Sequence, residues 1–491
     1  MSQHTFRPWL ALPLAALTLT PLVPRAYADE AVPEKGAQQA ASRPNVVVFL
    51  ADDLGWADTS VTGSRFYETP NLARLAQEGS LFRAAYISPA DDATRAGLLT
   101  GRYPVARLKL SGGKVSRNPT VPESAAPDQR LVPPERVPGL LTEEVTLAEL
   151  MHKADYTTWF AGQWDVGPAG APPNQQGFDR VAQVGKRLKS HFAPYGVPGF
   201  SNTKPGTYLA DRLTDQVLKW MEWEQRGGRP FFLLLAHRSV REPWEAKPEL
   251  VEKYRRKAAA GAPDAPQRNP VMGAMVASLD ESLGRILDKL DELGIADETL
   301  VIFLSGGGGV TQPFEGAPLT SNAPLRGGNG SMFEGGIRVP LVVRWPGVTT
   351  EPRSLDAPVS HVDLFPTLVA AIGEEPPADL ELDGEDLGPL LRGQTAARQA
   401  PVFVHYTLGE GASVVRDGHW KLIRYHGSGP QGAPRDALYD LQADVGESSD
   451  LADSQPAKAA EMASLLEAWL GETGALLPVP NPAYRGPAAN P

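Results

Sequence analysis

The sequence predicts a mixed α/β protein with a mostly parallel sheet flanked by helices and a smaller antiparallel sheet in a C-terminal lobe. Three continuous apolar runs, Asn45 to Ala51, Arg229 to Ala236 and Thr299 to Leu304, have the composition of strands that are buried on both faces. Segments with helical spacing separate these runs, and strands that alternate with helices indicate a parallel sheet covered on both sides. From about Pro401 the pattern changes to short strand-like pieces, which favours an antiparallel lobe.

Several helix ends are indicated by residues that cap them. Thr69 followed by Pro70 predicts the start of one helix, and Gly79 predicts its end. Thr146 with Glu149 forms the pattern of a capping box at the start of another helix. The other predicted elements are a strand at 156–160, a helix with an apolar core face at 272–290, strands at 402–406 and 420–425, a DALYDL segment at 436–441 and a terminal helix near 457–469.

The composition indicates a large protein that needs no disulfides. The chain has 491 residues, of which 42% are hydrophobic and 21% charged, and this is enough for a large core and more than one lobe. It contains no cysteine, so packing must stabilise it even in an oxidising compartment. A formal net charge of −11 argues against a nucleic acid as a partner.

The N-terminal residues have the pattern of a cleavable export signal. Arg7 precedes an apolar run from Trp9 to Val23, and Ala26-Tyr27-Ala28 has the spacing of a cleavage site. A membrane anchor is the alternative, but the run is short and two prolines interrupt it. We expect a periplasmic or secreted protein without a membrane span, with a signal peptide at 1–28, a flexible spacer at 29–43, a main domain at 44–397, a C-terminal lobe with its helix at 398–475 and a proline-rich tail at 476–491.

Ordered motifs along most of the chain resemble those of type I sulfatases, in the alkaline-phosphatase superfamily. They are NVVVFLADDLGW, ETPNLARLAQEG, LLTGRYP, NAPLRGG, FEGGIRVPLVVRWPG, HVDLFPTL, LDGEDL and ALYDL. Each motif alone is a weak signal, but so many in one order make the resemblance specific. It implies an alkaline-phosphatase-like fold, and it gives a frame in which single site positions can be compared.

The segment ADDATRAGLLTGRYP resembles the family signature C-x-P-S-R followed by L-T-G-R, but it lacks the Cys of that signature. In the family the Cys is oxidised to formylglycine, whose hydrate attacks the sulfate ester. Arg95 and the following LLTGRYP set the register, which puts Asp91 at the formylglycine position. A carboxylate cannot become an aldehyde hydrate. The resemblance therefore predicts a sulfatase relative without the usual sulfatase chemistry.

The residues that the resemblance implies as metal ligands are only half retained. Asp52 and Asp53 follow the first strand at the ligand-binding edge of the sheet, and paired carboxylates suit Ca²⁺ or Mg²⁺. The family's later Asp-Asn pair corresponds to Gly306 and Gly307, which offer no side-chain oxygen. We therefore expect no certain cofactor and at most weak Ca²⁺ or Mg²⁺ binding.

The groups that bind sulfate in the family are also replaced. Gln163 and Asp165 stand where the family has a Lys and a His, and Arg241 stands at the position of a second His. Asn329 replaces the last Lys, so Arg95 alone keeps the family's residue. Arginine binds anions but cannot exchange a proton near neutral pH, so the proton shuttle is lost with the two lysines.

These replacements favour a non-catalytic exported pseudo-sulfatase that binds a sulfated or other anionic glycan, or a protein partner. The alternative is a rewired hydrolase of sulfate or phosphate esters that uses a carboxylate-rich site with residual divalent metal. Asp92 adds a carboxylate to that site, and Thr94 is a conceivable hydroxyl nucleophile, although its register is that of the Ser before the motif's Arg. His237 has the wrong spacing for a family His, and we interpret it as a hydrogen-bonded loop residue.

A third hypothesis assigns an interaction role to an added basic segment. The region from Arg107 to Arg136 carries Lys109, Lys114 and Arg117 among Pro, Ser and Gly residues. Such a cluster is most often solvated surface, but it can also bring an acidic polymer to the mouth of a cleft.

Overall fold

The computed structural model describes residues 43–485 with nine gaps, at 111–129, 138, 168–169, 186, 198–199, 201, 262–265, 409–410 and 430–431. The predicted signal peptide, the spacer up to residue 42, Lys114, Arg117 and the end of the predicted tail lie outside the described residues. No helix in the described part combines the length and the apolar composition that a bilayer crossing requires. The predicted domain boundaries stay predictions.

Strands and helices alternate through most of the described chain. The strands are β1 (Asn45–Ala51), β2 (Ser80–Tyr86), β3 (Leu131–Val132), β4 (Thr157–Gln163), β5 (Arg180–Val184), β6 (Phe231–His237), β7 (Thr299–Ser305), β8 (Pro313–Phe314), β9 (Ala317–Pro318), β10 (Arg338–Arg344), β11 (Arg353–Leu355), β12 (Val359–Ser360), β13 (Val402–Tyr406), β14 (Ala412–Asp417), β15 (Trp420–Tyr425), β16 (Arg435–Asp440) and β17 (Val479–Pro480). The α-helices are α1 (Pro70–Gln77), α2 (Asp91–Thr100), α3 (Leu147–Lys153), α4 (Leu209–Glu224), α5 (Pro248–Ala259), α6 (Pro270–Glu292), α7 (Glu334–Ile337), α8 (Leu364–Ala371), α9 (Gly388–Leu391) and α10 (Pro456–Glu472).

The central sheet is mostly parallel, as predicted. Its order is β11-β2-β10-β7-β1-β6-β4-β5, with β12 also beside β2. The central strand β1 pairs in parallel with β6 and β7, so that Val47 lies opposite Leu233 on one side and Val301 on the other. Among the described strands of this sheet, β10 alone runs against the rest. All residues of β1, β6 and β7 are buried, since helices cover both faces.

A second, antiparallel sheet is formed by β13, β14, β15 and β16 in sequential order. The strands predicted at 402–406 and 420–425 have the observed bounds, while β14 between them was not predicted. Helix α10 covers this sheet, and the ring of Trp469 stacks on Phe403 with centroids 4.5 Å apart. The mixed α/β class with a small C-terminal antiparallel sheet is thus confirmed.

Of the two predicted helix N-caps, one is confirmed and the other makes no capping hydrogen bond. The capping box at α3 is confirmed, because Thr146 Oγ1 accepts from the Glu149 amide at 3.2 Å and the Glu149 carboxylate accepts from the Thr146 amide at 2.8 Å. Thr69 occupies the cap position of α1, but its hydroxyl accepts from the Ser60 amide instead of capping the helix. Gly79 follows that helix because a Cβ there would lie 2.4 Å from the Val343 carbonyl oxygen.

Candidate functional site

The site lies where the parallel strands of the central sheet end. Asp52 and Asp53 follow β1, Gly306 and Gly307 follow β7, and Gln163 is the last residue of β4. Helix α2 begins with the candidate Asp91 at the same edge of the sheet. Parallel strands place their carboxyl ends together, and the topology therefore brings together most of the residues that the family motifs single out.

Arg95 is completely buried and holds Asp52. Its Nη2 donates to Asp52 Oδ1 at 2.8 Å, and its Nη1 donates to the backbone carbonyl of Asp165 at 2.7 Å. Neither side chain of the Arg95–Asp52 pair is exposed to solvent. The retained family arginine is thus bound to protein groups on both terminal nitrogens.

Arg241 faces three carboxylates. Its Nη1 donates to Asp91 Oδ2 at 2.9 Å and lies 4.0 Å from Asp52 Oδ2, while its Nε lies 3.6 Å from Asp53 Oδ2. Burial acts to lower the pKa of Arg241, but the carboxylates of Asp91 and Asp53 hold it above its ordinary value. The guanidinium is therefore a fixed positive charge at the centre of the acidic group.

The two glycines after β7 leave room that carboxylates and an amide fill. A Cβ at Gly307 would lie 2.9 Å from Oδ1 of both Asp53 and Asp91 and 2.8 Å from Asn329 Nδ2. A Cβ at Gly306 would lie 3.1 Å from Asp91 Oδ1. Asn329 itself donates to Asp53 Oδ1 at 2.7 Å and to the Gly308 carbonyl at 3.1 Å. Asn329, which the sequence analysis expects at a lysine position of the family, is thus a neutral donor to a carboxylate.

Gln163 and Asp165 form a second layer of polar contacts. The Gln163 amide donates to Asp165 Oδ2 at 3.4 Å and accepts a short hydrogen bond from Arg238 Nη1. Arg238 also donates to the Glu242 carbonyl at 3.0 Å and 3.2 Å. The sequence reasoning missed Arg238, although its place directly after β6 is a signal that it lies at the ligand-binding edge.

Two histidines lie behind Arg241 and are bound to protein groups. His191 Nε2 is 3.0 Å from the Arg241 carbonyl, and burial lowers the pKa of His191 to about 4. His237 bonds to Ser282 at 2.9 Å, and burial lowers the pKa of His237 to about 3. The interpretation of His237 as a loop residue was wrong, because it is the last residue of β6.

The alternative candidates on α2 are directed to local groups. Thr94 is fully buried, and its hydroxyl donates to the carbonyl oxygens of Ser88 at 3.0 Å and Ala90 at 3.2 Å. Asp92 accepts from the Ala93 amide at 2.8 Å.

In the basic segment, Lys109 donates to the backbone carbonyls of Thr473 and Gly474. Its ammonium group is therefore hydrogen-bonded within the protein.

The carboxylates that would bind a divalent cation already face a positively charged side chain. Burial raises the pKa of Asp52 to about 7 although Arg95 acts to lower it, and burial and then Asp91 raise the pKa of Asp53 well above its usual range. Asp52 Oδ2 and Asp91 Oδ1 are buried without a hydrogen-bond partner in the described chain, which by itself would favour a cation. Arg241 already supplies that cation at the same carboxylates, however.

Two further observations agree with this conclusion. The described residues contain no group of three or more acidic or histidine side chains arranged to hold a metal ion. Ca²⁺ and Mg²⁺ require about six or more oxygen ligands, and the glycines at 306 and 307 contribute no side-chain oxygen. The weak Ca²⁺ or Mg²⁺ site expected from the sequence stays a prediction, and these residues do not favour it.

The fold and the site together define an α/β protein of the alkaline-phosphatase type. A crystal structure of Ps i-CgsB in complex with k-i-k-neocarrahexaose has a TM-score of 0.70 and 25% sequence identity, and the match covers 88% of this chain and 93% of that one. The class predicted from the motifs is thereby confirmed.

The chain belongs to the sulfatase family. Residues 44–374 match the Sulfatase family, and residues 329–472 match the C-terminal family of N-sulphoglucosamine sulphohydrolase. N-acetylgalactosamine-6-sulfatase from Canis lupus familiaris is 32% identical over 413 residues, which cover 79% of this chain and 72% of the relative. A sulfatase from Formosa agariphila is 28% identical over 513 residues, covering 88% and 90% of the two chains.

Proposed function

We propose that this protein is an exported member of the sulfatase family that does not hydrolyse sulfate esters and instead binds a sulfated glycan. One observation carries the proposal: the residue at the nucleophile position, Asp91, is in a buried ion pair with Arg241 at 2.9 Å. An ion-paired carboxylate is a weak nucleophile, and it cannot form the aldehyde hydrate on which the family chemistry depends.

The charges around the cleft give little support to the transition state of sulfate transfer. The three arginines at the site, Arg95, Arg238 and Arg241, each donate a hydrogen bond to an oxygen atom of the protein. A sulfate that entered would meet the buried carboxyl groups of Asp52 and Asp53, which offer it no positive charge. One well-placed stabilising group contributes about 3 kcal/mol to a transition state, so the joint loss of several groups lowers the rate by many orders of magnitude.

The two buried histidines, His191 and His237, are not suited to act as a general acid for the leaving group. His191 and His237 are bound to the Arg241 carbonyl and to Ser282, and burial keeps both neutral through pKa values of about 4 and about 3. Neither histidine is hydrogen-bonded to Asp91 in the described chain. Burial raises the pKa of Asp52 to about 7, but its Oδ1 accepts from Arg95, so this carboxyl is held in an ion pair and not directed at a leaving group.

A glycan is the ligand class that the relatives favour. One relative is named for the 6-sulfate of N-acetylgalactosamine, and one similar structure holds a neocarrahexaose. Export agrees with such a ligand, and the pattern at residues 1–28 supports export. A protein partner at the same surface is the second ligand class, but no contact in the described chain favours it.

The alternative function, a rewired hydrolase of sulfate or phosphate esters, has less support than a non-catalytic binding function. It requires a free carboxylate or hydroxyl, whereas Asp91 is paired with Arg241 and the Thr94 hydroxyl donates to backbone carbonyls. It also requires a metal ion at carboxylates that already face a guanidinium. Fold similarity alone cannot carry an activity across such replacements.

Sulfate release by the purified protein tests the loss of catalysis. We expect an aryl sulfate and a sulfated carrageenan oligosaccharide to release no more sulfate with the wild type than with Asp91→Ala, with Ca²⁺ or Mg²⁺ present, measured by ion chromatography. Release that Asp91→Ala abolishes would contradict the proposal. Calorimetric titration with the sulfated oligosaccharide tests binding, and its desulfated form is the matched control, for which we expect weaker binding.

A further inference from the structure

Three carboxylates converge in the buried part of the site. The side chains of Asp52, Asp53 and Asp91 are exposed by only 0%, 9% and 5%. Buried charges are costly unless partners of opposite charge compensate them. Either a divalent cation or a cationic side chain of the protein can meet this need.

Arg241 is placed to supply that charge. It reaches Asp91 at 2.9 Å, Asp53 at 3.6 Å and Asp52 at 4.0 Å, so one guanidinium is shared by all three carboxylates. Arg95 pairs with the other oxygen of Asp52. Two fixed positive charges therefore face three acidic groups without any ion from solution.

The glycines at 306 and 307 fit the same arrangement. Side chains there would point at the carboxylate oxygens of Asp53 and Asp91, within about the length of a hydrogen bond. Their absence lets Asp91 and Asn329 approach Asp53 from the side on which the family carries its other two ligands. The replacements at 91, 241, 306, 307 and 329 are thus mutually compatible as one set.

We infer that the Arg241 guanidinium takes the place of the divalent cation, so that the folded protein requires no metal ion at this site. A second cation at the same carboxylates would be repelled by Arg241 across a few ångströms of protein interior. The inference goes beyond the proposed lack of catalysis, because it concerns what compensates the buried acids. Its test uses stability rather than turnover, so the two can fail separately.

The test compares Arg241→Gln with the wild type in thermal unfolding, in chelator and in millimolar Ca²⁺. We expect the Tm of the wild type in chelator to equal its Tm in millimolar Ca²⁺. For Arg241→Gln we expect a Tm lower by about 3–5 °C in chelator, because buried carboxylates lose their cationic partner. Ca²⁺ should restore much of that loss, since its two charges meet acids that have lost their partner.

Two matched variants separate charge from packing. Arg241→Lys keeps the positive charge and should leave the Tm independent of Ca²⁺. Arg344→Gln removes an arginine that pairs with Glu78 at 2.8 Å far from the site, and its loss of Tm should not respond to Ca²⁺. A wild type stabilised by Ca²⁺, or an Arg241→Gln protein that Ca²⁺ does not stabilise, overturns the inference.

A direct titration covers the case in which Arg241→Gln does not fold. Calorimetric titration of Ca²⁺ into the wild-type protein should then give no binding heat at millimolar concentration. Stoichiometric binding that Asp53→Asn abolishes overturns the inference, and the absence of binding supports it.

Discussion

Two clusters of buried charged side chains in this protein differ in how their carboxylates are compensated. In the first, Lys421 of β15 lies 2.9 Å from Glu334 and 2.7 Å from Glu447, and none of the three side chains is exposed. This cluster joins strand β15 of the antiparallel sheet to helix α7, which precedes β10. The second is the site cluster, in which Arg241 faces the three carboxylates at the end of β1 and the start of α2.

The charge balance distinguishes the clusters. Burial acts to raise the pKa of Glu334, but Lys421 and Arg338 hold it below its usual range, while burial raises the pKa of Glu447. At the site, burial raises the pKa of Asp52 to about 7 in spite of Arg95. In the first cluster two carboxylates share Lys421 and Arg338, whereas at the site three carboxylates face Arg95 and Arg241.

The largest expected effect is at the first cluster. Lys421→Met leaves two buried carboxylates without their shared cation, and we expect a loss of about 3–5 kcal/mol in the free energy of unfolding. Chemical denaturation measures it, and Ca²⁺ should not restore the loss. Lys253→Met removes an exposed lysine that pairs with Glu68 and should cost less than about 1 kcal/mol. Equal losses in the two variants would remove the distinction between the clusters.

A smaller loss is expected when the glycine side of the site is filled. The Cβ of Gly307→Ala would meet Asp53, Asp91 and Asn329 at 2.8–2.9 Å, and such overpacking costs up to about 3 kcal/mol. Gly471→Ala in α10 is the control, since no atom lies within 4 Å of its Cβ and alanine favours a helix by up to about 1 kcal/mol. A Gly307→Ala protein as stable as the wild type would show that the site is not closely packed around Asp91.

The antiparallel sheet also contains a histidine whose pKa is lowered by burial, so its contribution to the free energy of unfolding depends on pH. His405 lies 2.8 Å from Ser413, and burial lowers its pKa to about 4 from an unfolded value near 6.5. The unfolded chain then binds a proton that the folded chain does not, so stability present above about pH 6.5 is lost as the pH falls toward 4.

For this one group the loss at pH 5 is about 2 kcal/mol. His405→Gln should therefore reduce the difference in unfolding free energy between neutral pH and pH 5 by that amount, measured by denaturation at both values. If His405→Gln has the pH slope of the wild type, burial does not keep this histidine neutral.

Most of the fold was accessible from the sequence because its signals are local. The apolar runs of β1, β6 and β7 and the capping box of α3 depend on neighbouring residues, and all four are confirmed. Strand β10 was not predicted, and its reversed direction depends on pairing with strands distant in sequence. The hydroxyl of Thr69 was misassigned because Ser60 competes for it.

The site was predictable in its positions but not in its contacts. The motifs brought Asp52, Asp91 and Arg241 to one edge of the sheet, and the structure places them there. That Arg241 pairs with Asp91, 150 positions away in the chain, follows from side-chain geometry that a motif does not encode. Arg238 was missed because no motif of the family marks its position.

A crystal structure of the wild-type protein grown in millimolar Ca²⁺ tests the central claim most directly. We predict electron density for the Arg241 guanidinium in hydrogen-bonding contact with Asp91, and no ion at Asp52 and Asp53. An ion with carboxylate oxygens at about 2.3–2.6 Å, together with an Arg241 turned away from the site, would contradict the account.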